Sequence, residues 1–350
     1  MRYLITTALI YANGPMHLGH LRSTYIPADI FARFLRLFGE EVVFISATDE
    51  HGTPISVAAE KEGVSPKEFV DRFHERDRKE FERLGMSFDI FHRTSSKENY
   101  EMTWHFFKRM KENGYIYEKD IKQFYCPKCG RVLSDRMVKG KCPYCGAEDQ
   151  YGDQCEKCGR VLSAEVIVEP RCAACGTKPE LKVYHHYFFA LSKFSERLEG
   201  WIRNKEEFQE EVKNFVLNWI KAGLRDWDIT RNLEWGIPVP GEEDLVFYVW
   251  FDAPIGYISS VVALTDEWEK YWKDPETRIV HFIGKDIVYH HYLFWPAMLM
   301  ATEEGFNLPY MIPVRGYLNL EGKKFSKSRG WYVTVEEFLE RFPADYLRFY

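Results

Sequence analysis

The sequence has no apolar run long enough to cross a bilayer. The most apolar late stretch, around residues 292–301, falls well short of the ~20 residues a spanning helix needs. Its start, Met1-Arg2 followed by apolar residues, carries no secretory cleavage site and runs straight into a turn and a helix. A soluble, cytoplasmic chain with no membrane partner is therefore expected. Excess positive charge is missing too: 47 Lys and Arg stand against 53 Asp and Glu, a net charge of -6. That excludes a globally basic nucleic-acid binder, while leaving phosphate affinity to local patches. Isolated cysteines are also absent, which argues against a disulfide scaffold.

What the chain does have is 350 residues, 45% of them hydrophobic, enough for a large core and two or three domains. All eight cysteines sit in Cys-x-x-Cys pairs: Cys126/Cys129, Cys142/Cys145, Cys155/Cys158 and Cys172/Cys175. Tight pairs confined to one segment fit zinc knuckles, each pair supplying two thiolates to a tetrahedral ion, and reduced thiols fit the cytoplasm. There is an internal repeat as well. Cys126-Pro-Lys-Cys129-Gly-Arg-Val-Leu-Ser134 recurs as Cys155-Glu-Lys-Cys158-Gly-Arg-Val-Leu-Ser163, an offset of 155 - 126 = 29, and the second pair recurs at 172 - 142 = 30. Eight thiolates make two closed, structural Zn2+ sites. Spacing leaves their pairing open. One ion per repeat copy would join 126, 129, 142 and 145, and separately 155, 158, 172 and 175; a nested scheme would join the two middle pairs and leave the outer two for the second ion.

Around this segment the pattern is strand and helix. Residues 3–10 have the composition of a buried parallel strand, Asn13-Gly14-Pro15 is a turn, and residues 20–38 carry helical spacing. A second β-branched run, 41–47, ends in Thr48-Asp49-Glu50-His51-Gly52-Thr53-Pro54. Ser65-Pro66-Lys67-Glu68 and Ser95-Ser96-Lys97-Glu98 are helix starts, the first a capping box. After the cysteines come two helices (191–204 and 208–224), then strands at 245–249 and 278–283. The expected fold is α/β: a doubly wound, Rossmann-type parallel sheet split by an inserted zinc-knuckle connective domain. Its divisions are 1–114 and 188–316 for the two halves of the sheet domain and 115–187 for the insertion. Residues 317–350 hold a lysine-rich loop and the start of a helical region.

Ligands in such sheets bind beyond the carboxyl ends of the strands. His17 and His20 fall there, at a helix N-terminus where backbone N–H groups and the dipole favour an anion such as phosphate. Asp49 falls on the same rim, with Trp250, Tyr257 and Trp295 at or near later strand ends. Lys323-Lys324-Phe325-Ser326-Lys327-Ser328 lies on a glycine-flanked loop that suits a polyphosphate clamp. A locally basic run (Lys108, Arg109, Lys111, Lys119, Lys122, Lys128, Arg131, Arg136, Lys139, Lys141) reads as a solvated face or as a contact with nucleic-acid phosphate.

His17-Leu18-Gly19-His20 followed by Lys324-Phe325-Ser326-Lys327-Ser328 resembles the paired signature of class I aminoacyl-tRNA synthetases. Within that class Tyr11-Ala12-Asn13-Gly14, the Asp49 to Pro54 stretch, the Arg225 to Arg231 run, Trp250 to Tyr257 and Phe282-Ile283-Gly284-Lys285-Asp286 resemble the methionyl-tRNA synthetase family from end to end. The resemblance implies a methionine-tRNA ligase that joins ATP and L-methionine into methionyl-adenylate and transfers the methionyl group to tRNA(Met). It implies that His17, His20, Lys324 and Lys327 are catalytic and hold ATP phosphates, with Mg2+ beside the nucleotide and Gly284 and Asp286 at the nucleoside. For methionine it implies Asp49 on the ammonium, with Leu9, Tyr11, Trp250, Ala253, Pro254, Tyr257, Ile287 and His291 around the side chain. It also implies the nested zinc scheme, Cys142, Cys145, Cys155 and Cys158 on one ion and Cys126, Cys129, Cys172 and Cys175 on the other. The family's helical anticodon-binding domain is expected to lie beyond Tyr350. The rivals are a class I synthetase for another amino acid and a non-catalytic, zinc-dependent RNA-binding module.

Overall fold

A computed structural model describes residues 1–133, 135–152, 155, 157–158, 160, 162, 166–316, 318–325 and 331–349. At its centre, parallel strands stand in the spatial order Val314–Arg315, Thr277–Gly284, Arg2–Thr7, Glu41–Asp49, Ile90–Arg93, with the short strand Ile10–Tyr11 also paired to the end of Glu41–Asp49. The chain's first strand has Glu41–Asp49 on one side and a strand from the far end of the sequence on the other. That reversal is the switch point of a doubly wound sheet and opens a crevice at the strands' carboxyl ends. Both faces of the sheet are covered, which is why Leu4, Ile5, Phe44, Ile45, Ile279 and Val280 have no exposed surface.

Local signals shape the flanking helices. Helix Pro66–Arg83 begins at Ser65, whose Oγ accepts from Glu68 N at 3.2 Å while the Glu68 carboxylate accepts from Ser65 N at 3.0 Å, a closed capping box. Helix Lys97–Glu112 is capped by Ser96 alone. Two expected elements differ. The run 3–10 is broken: the strand stops at Thr7 and resumes at Ile10, and Ala8 and Leu9 between them line a cavity. The run 245–249 is not a strand of the parallel sheet. Of this run Val246–Phe247 forms a strand, paired antiparallel with Thr230–Arg231, and a helix begins at Val249. A short apolar run packs equally well in either state, and here its neighbours decide.

The cysteine-rich insertion stands on an antiparallel ribbon of Ile116–Cys126 and Glu180–Phe189, ten residue pairs long. At its near end Ile116, Tyr187 and Phe189 join the main core. The far end carries a three-stranded sheet, Gln150–Tyr151, Val138–Lys141 and Val168–Cys172, over a small core of its own. Four of that core's ten described buried residues are cysteines, so apolar packing alone is too thin to hold it. Arg131, paired with Glu60 at 3.1 Å, and Val57 dock the insertion on helix Thr53–Glu62, which follows the strand that ends at Asp49.

Candidate active site

The helical run that follows the first strand begins at Leu18 and passes through a π-turn, Leu21–Tyr25, into helix Ile26–Leu37. His17 caps it. The His17 and His20 rings stack with centroids 3.7 Å apart and planes 10° from parallel, and His17 N donates to His20 Nδ1 at 3.2 Å. Of the two residues between them, Gly19 leaves room for the ring: a Cβ there would lie 2.9 Å from His17 Cε1 and Nδ1 and 3.2 Å from Phe325, and the His17 ring would have to shift. Phe325 is buried against His17, with centroids 5.5 Å apart, and Leu18 N donates to Val333 O at 3.1 Å. Two motifs distant in the chain are thus in direct contact. Lys324 lies in the two-residue strand Lys323–Lys324, paired with Asn319–Leu320, and its side chain is outside the described set. Lys327, with Ser326 and Ser328, lies outside the described residues.

At the switch point is a cavity of about 460 Å³. His20, Gly284 and Asp286 line it, and so do Leu9, Tyr11, Asp49, Trp250, Ala253, Pro254, Tyr257, Ile287 and His291. The fold thereby gathers residues from widely separated stretches. The aromatic wall is electrically neutral. Tyr257 donates to His291 Nε2 at 2.8 Å, and His291 Nδ1 donates to Ile287 O at 3.0 Å, which uses both ring nitrogens of an uncharged imidazole. Burial pushes the His291 pKa down to about 4. Trp250 stacks on His290 at 3.5 Å, and burial, helped by His291, pushes His290 down to about 3.

Asp49 stands apart in this apolar setting. It ends the strand Glu41–Asp49, is buried, and its Oδ1 has no hydrogen-bond partner. Burial, then the nearby Asp252, pushes its pKa well above the carboxylate range. Asp252 itself is held 2.6 Å from His51 Nδ1, both fully buried. An unsatisfied carboxylate oxygen facing a cavity is costly until a cation arrives.

Arg231 also lines the cavity, a place that its position at the end of the Arg225 to Arg231 run does not reveal. Its guanidinium lies 3.9 Å over the Tyr248 ring and donates to Thr230 O at 2.7 Å, and it is paired with Asp228 at 3.3 Å. An arginine in a two-residue strand carries no periodic or spacing signal. The same holds for Arg136, which reaches the cavity from the insertion. Much of the basic run is paired locally, Lys111 with Glu118, Arg109 with Glu112 and Glu304, Lys139 with Asp149 and Lys141 with Glu148. Surface pairs of this kind contribute only about 0–1 kcal/mol each and leave the residues open to exchange partners.

The cysteines assemble as Cys126, Cys129, Cys172 and Cys175 and as Cys142, Cys145, Cys155 and Cys158, each set with all sulfurs within 4.8 Å. One ion per repeat copy is not what the structure brings together. Across the pairs the sulfurs stand 3.5 and 3.8 Å apart in the first set and 3.6 and 3.8 Å in the second. A tetrahedron with Zn–S bonds of ~2.3 Å has edges of ~3.8 Å, so both sets can hold such an ion, and four sulfurs leave it no open position.

The family model described as "tRNA synthetases class I (M)" matches residues 3–350. Proteins named methionine–tRNA ligase from Methanopyrus kandleri and Methanocaldococcus jannaschii are 51% and 53% identical to the chain over its whole length. The chain spans 53% of each, about half the length of these curated relatives. Among solved structures, Mycobacterium tuberculosis methionyl-tRNA synthetase bound by methionyl-adenylate superposes with a TM-score of 0.77 at 29% identity, covering 100% of this chain and 64% of that one.

Proposed function

The chain belongs to the class I (M) tRNA synthetases, and from that premise we propose that it activates L-methionine with ATP and passes the methionyl group to the 3' end of tRNA(Met). One observation carries the choice of substrate: the unpartnered buried oxygen of Asp49 on a cavity with a neutral aromatic wall. An α-ammonium satisfies the carboxylate, and an unbranched polarizable thioether suits the Trp250, Tyr257 and His291 wall. Arg231 supplies a cation on the same cavity for the substrate carboxylate or the phosphate it becomes joined to.

In the reaction a methionine carboxylate oxygen forms a bond to the α-phosphorus and the bond to pyrophosphate breaks. Positioning and charge stabilisation are the protein's share. In this reading Gly284 and Asp286 hold the nucleoside, and His17 and His20 donate hydrogen bonds to phosphate oxygens. Lys324 and Lys327 balance the charge that moves to the β and γ phosphates, with Mg2+ accompanying the nucleotide. The two cysteine sets hold structural Zn2+. Residues 1–114 and 188–316 then form the catalytic domain and 115–187 its insertion, working in the cytoplasm.

ATP–pyrophosphate exchange tests this reading. Exchange that depends on methionine supports it; exchange with leucine or valine instead would assign another amino acid, and none with any amino acid would favour an RNA-binding module. A second expectation comes from Gly19. Gly19→Ala forces the His17 ring out of its stack, so the exchange rate should fall about 10–100-fold, with methionine affinity changed little. Equal losses in both would remove His17 from the phosphate end of the site.

A further inference from the structure

His186 is a polar side chain with no exposed surface, on the ribbon strand Glu180–Phe189 of the insertion. Its Nδ1 faces Asp228 Oδ1 at 3.1 Å and Thr230 Oγ1 at 3.0 Å, and its Nε2 faces Gln123 and Asn232, each at 3.1 Å. The Asp228 carboxylate is divided between two tasks. Oδ1 accepts from His186 and from Thr230 N at 3.1 Å, while Oδ2 stands 3.3 Å from the Arg231 guanidinium. Burial pushes the Asp228 carboxyl up, yet Arg231 and His186 together hold it below the usual carboxylate range. With Oδ1 tied to His186, the plane of the carboxylate is set and Oδ2 is aimed at Arg231, which also meets the Tyr248 ring and the carbonyls of Asp228 and Thr230.

We propose that His186 is a positioning residue for Arg231, acting through Asp228, so that the insertion ribbon sets the anion-binding end of the amino-acid site. Buried hydrogen-bond chains of this kind transmit position because a half-satisfied member is expensive in a low dielectric. The inference rests on the proposed methionine activation, in which Arg231 meets the substrate's carboxylate or phosphate. It predicts coupling: the effect of changing His186 is present only while Arg231 is there to be positioned.

Methionine binding is measured by calorimetry, and exchange kinetics in parallel, on the unaltered chain and on H186A, H186N, H186Q, R231A and the H186A/R231A double variant. H186A is expected to raise the methionine Kd and KM about 10-fold. H186N, whose amide N–H stands where Nδ1 does, should restore most of the loss. H186Q, which extends toward the Nε2 partners instead, should not. In the R231A background the H186A change should have little further effect. Equal rescue by H186N and H186Q, or losses that add, would overturn the inference in favour of a purely structural histidine. Failure of the underlying reading looks different, since the unaltered chain would then neither bind methionine nor support exchange. In that event a crystal structure of H186A still decides: an Arg231 guanidinium that leaves Asp228 supports the positioning role, and one that stays in place overturns it.

Discussion

Asp49→Asn is expected to weaken methionine binding by about 10²–10⁴-fold and to leave ATP binding nearly unchanged. A buried ammonium that loses its charged partner forfeits about 3–5 kcal/mol, and Asp49 is the carboxylate whose buried oxygen is left unpaired on the cavity. Calorimetry with each substrate separately checks this, and unchanged methionine affinity would reject the role. The raised pKa of Asp49 adds a pH signature. Protonated Asp49 cannot balance an ammonium, so methionine should bind more tightly as pH rises through the raised value, and the asparagine variant should lose that dependence. Stability runs the other way. Between the ordinary carboxylate range and the raised value the folded chain keeps a proton that the unfolded chain has released, so stability falls as pH rises across that window. An amide at this position has no such proton to lose and sits beside Asp252 without repulsion. The variant should therefore melt a few degrees higher at neutral pH. Lower stability together with lost binding would point to collapse of the site.

Removing metal from the cysteine sets is expected to unfold the far end of the insertion and leave the parallel sheet standing. Structural Zn2+ in small thiolate domains supplies about 10–16 kcal/mol of apparent binding free energy. The local core it supports has cysteine at four of its ten described buried positions. Chelation should open protease cuts between residues 126 and 180 while helix content from the main body persists. The pairing has its own test. With Cd2+ as the probe, Cys155→Ser should abolish the signal of the set containing Cys142, Cys145 and Cys158 and spare that of Cys126, Cys129, Cys172 and Cys175. Loss of the Cys172 signal instead would reject the assembled sets.

The helices Pro66–Arg83 and Lys97–Glu112 were legible because their starting signals are local. Ser65 and Glu68 meet within one turn, and no distant residue is needed to make the capping box close. The strands Arg2–Thr7, Glu41–Asp49 and Thr277–Gly284 were legible as apolar β-branched runs, while Ile90–Arg93 carried no such run and at 245–249 apolar character alone did not distinguish a sheet strand from a helix entry. The candidate site was legible chiefly through family resemblance. His17, Asp49, Trp250 and Gly284 have no common period, and Arg231 and His186 have no sequence signal beyond their chemistry.

By itself, then, the sequence determined the class of fold, the starts of the two serine-capped helices, the existence of paired thiolates and the presence of the His17/His20 and Lys324/Lys327 motifs. Each of these is written in residues close enough along the chain to interact before the rest has folded. The tertiary structure alone decided which cysteine pairs share a set, since tetrahedral closure across 49 residues between Cys126 and Cys175 depends on how the ribbon brings its ends together. It also decided that Phe325 packs on His17, that Asp49 is left with an unsatisfied oxygen, and that an insertion histidine reaches Arg231 through Asp228. These are long-range contacts: the strands that meet at the switch point of the parallel sheet are distant in sequence, and His186 meets Asp228 where the ribbon strand Glu180–Phe189 pairs with Trp227–Asp228.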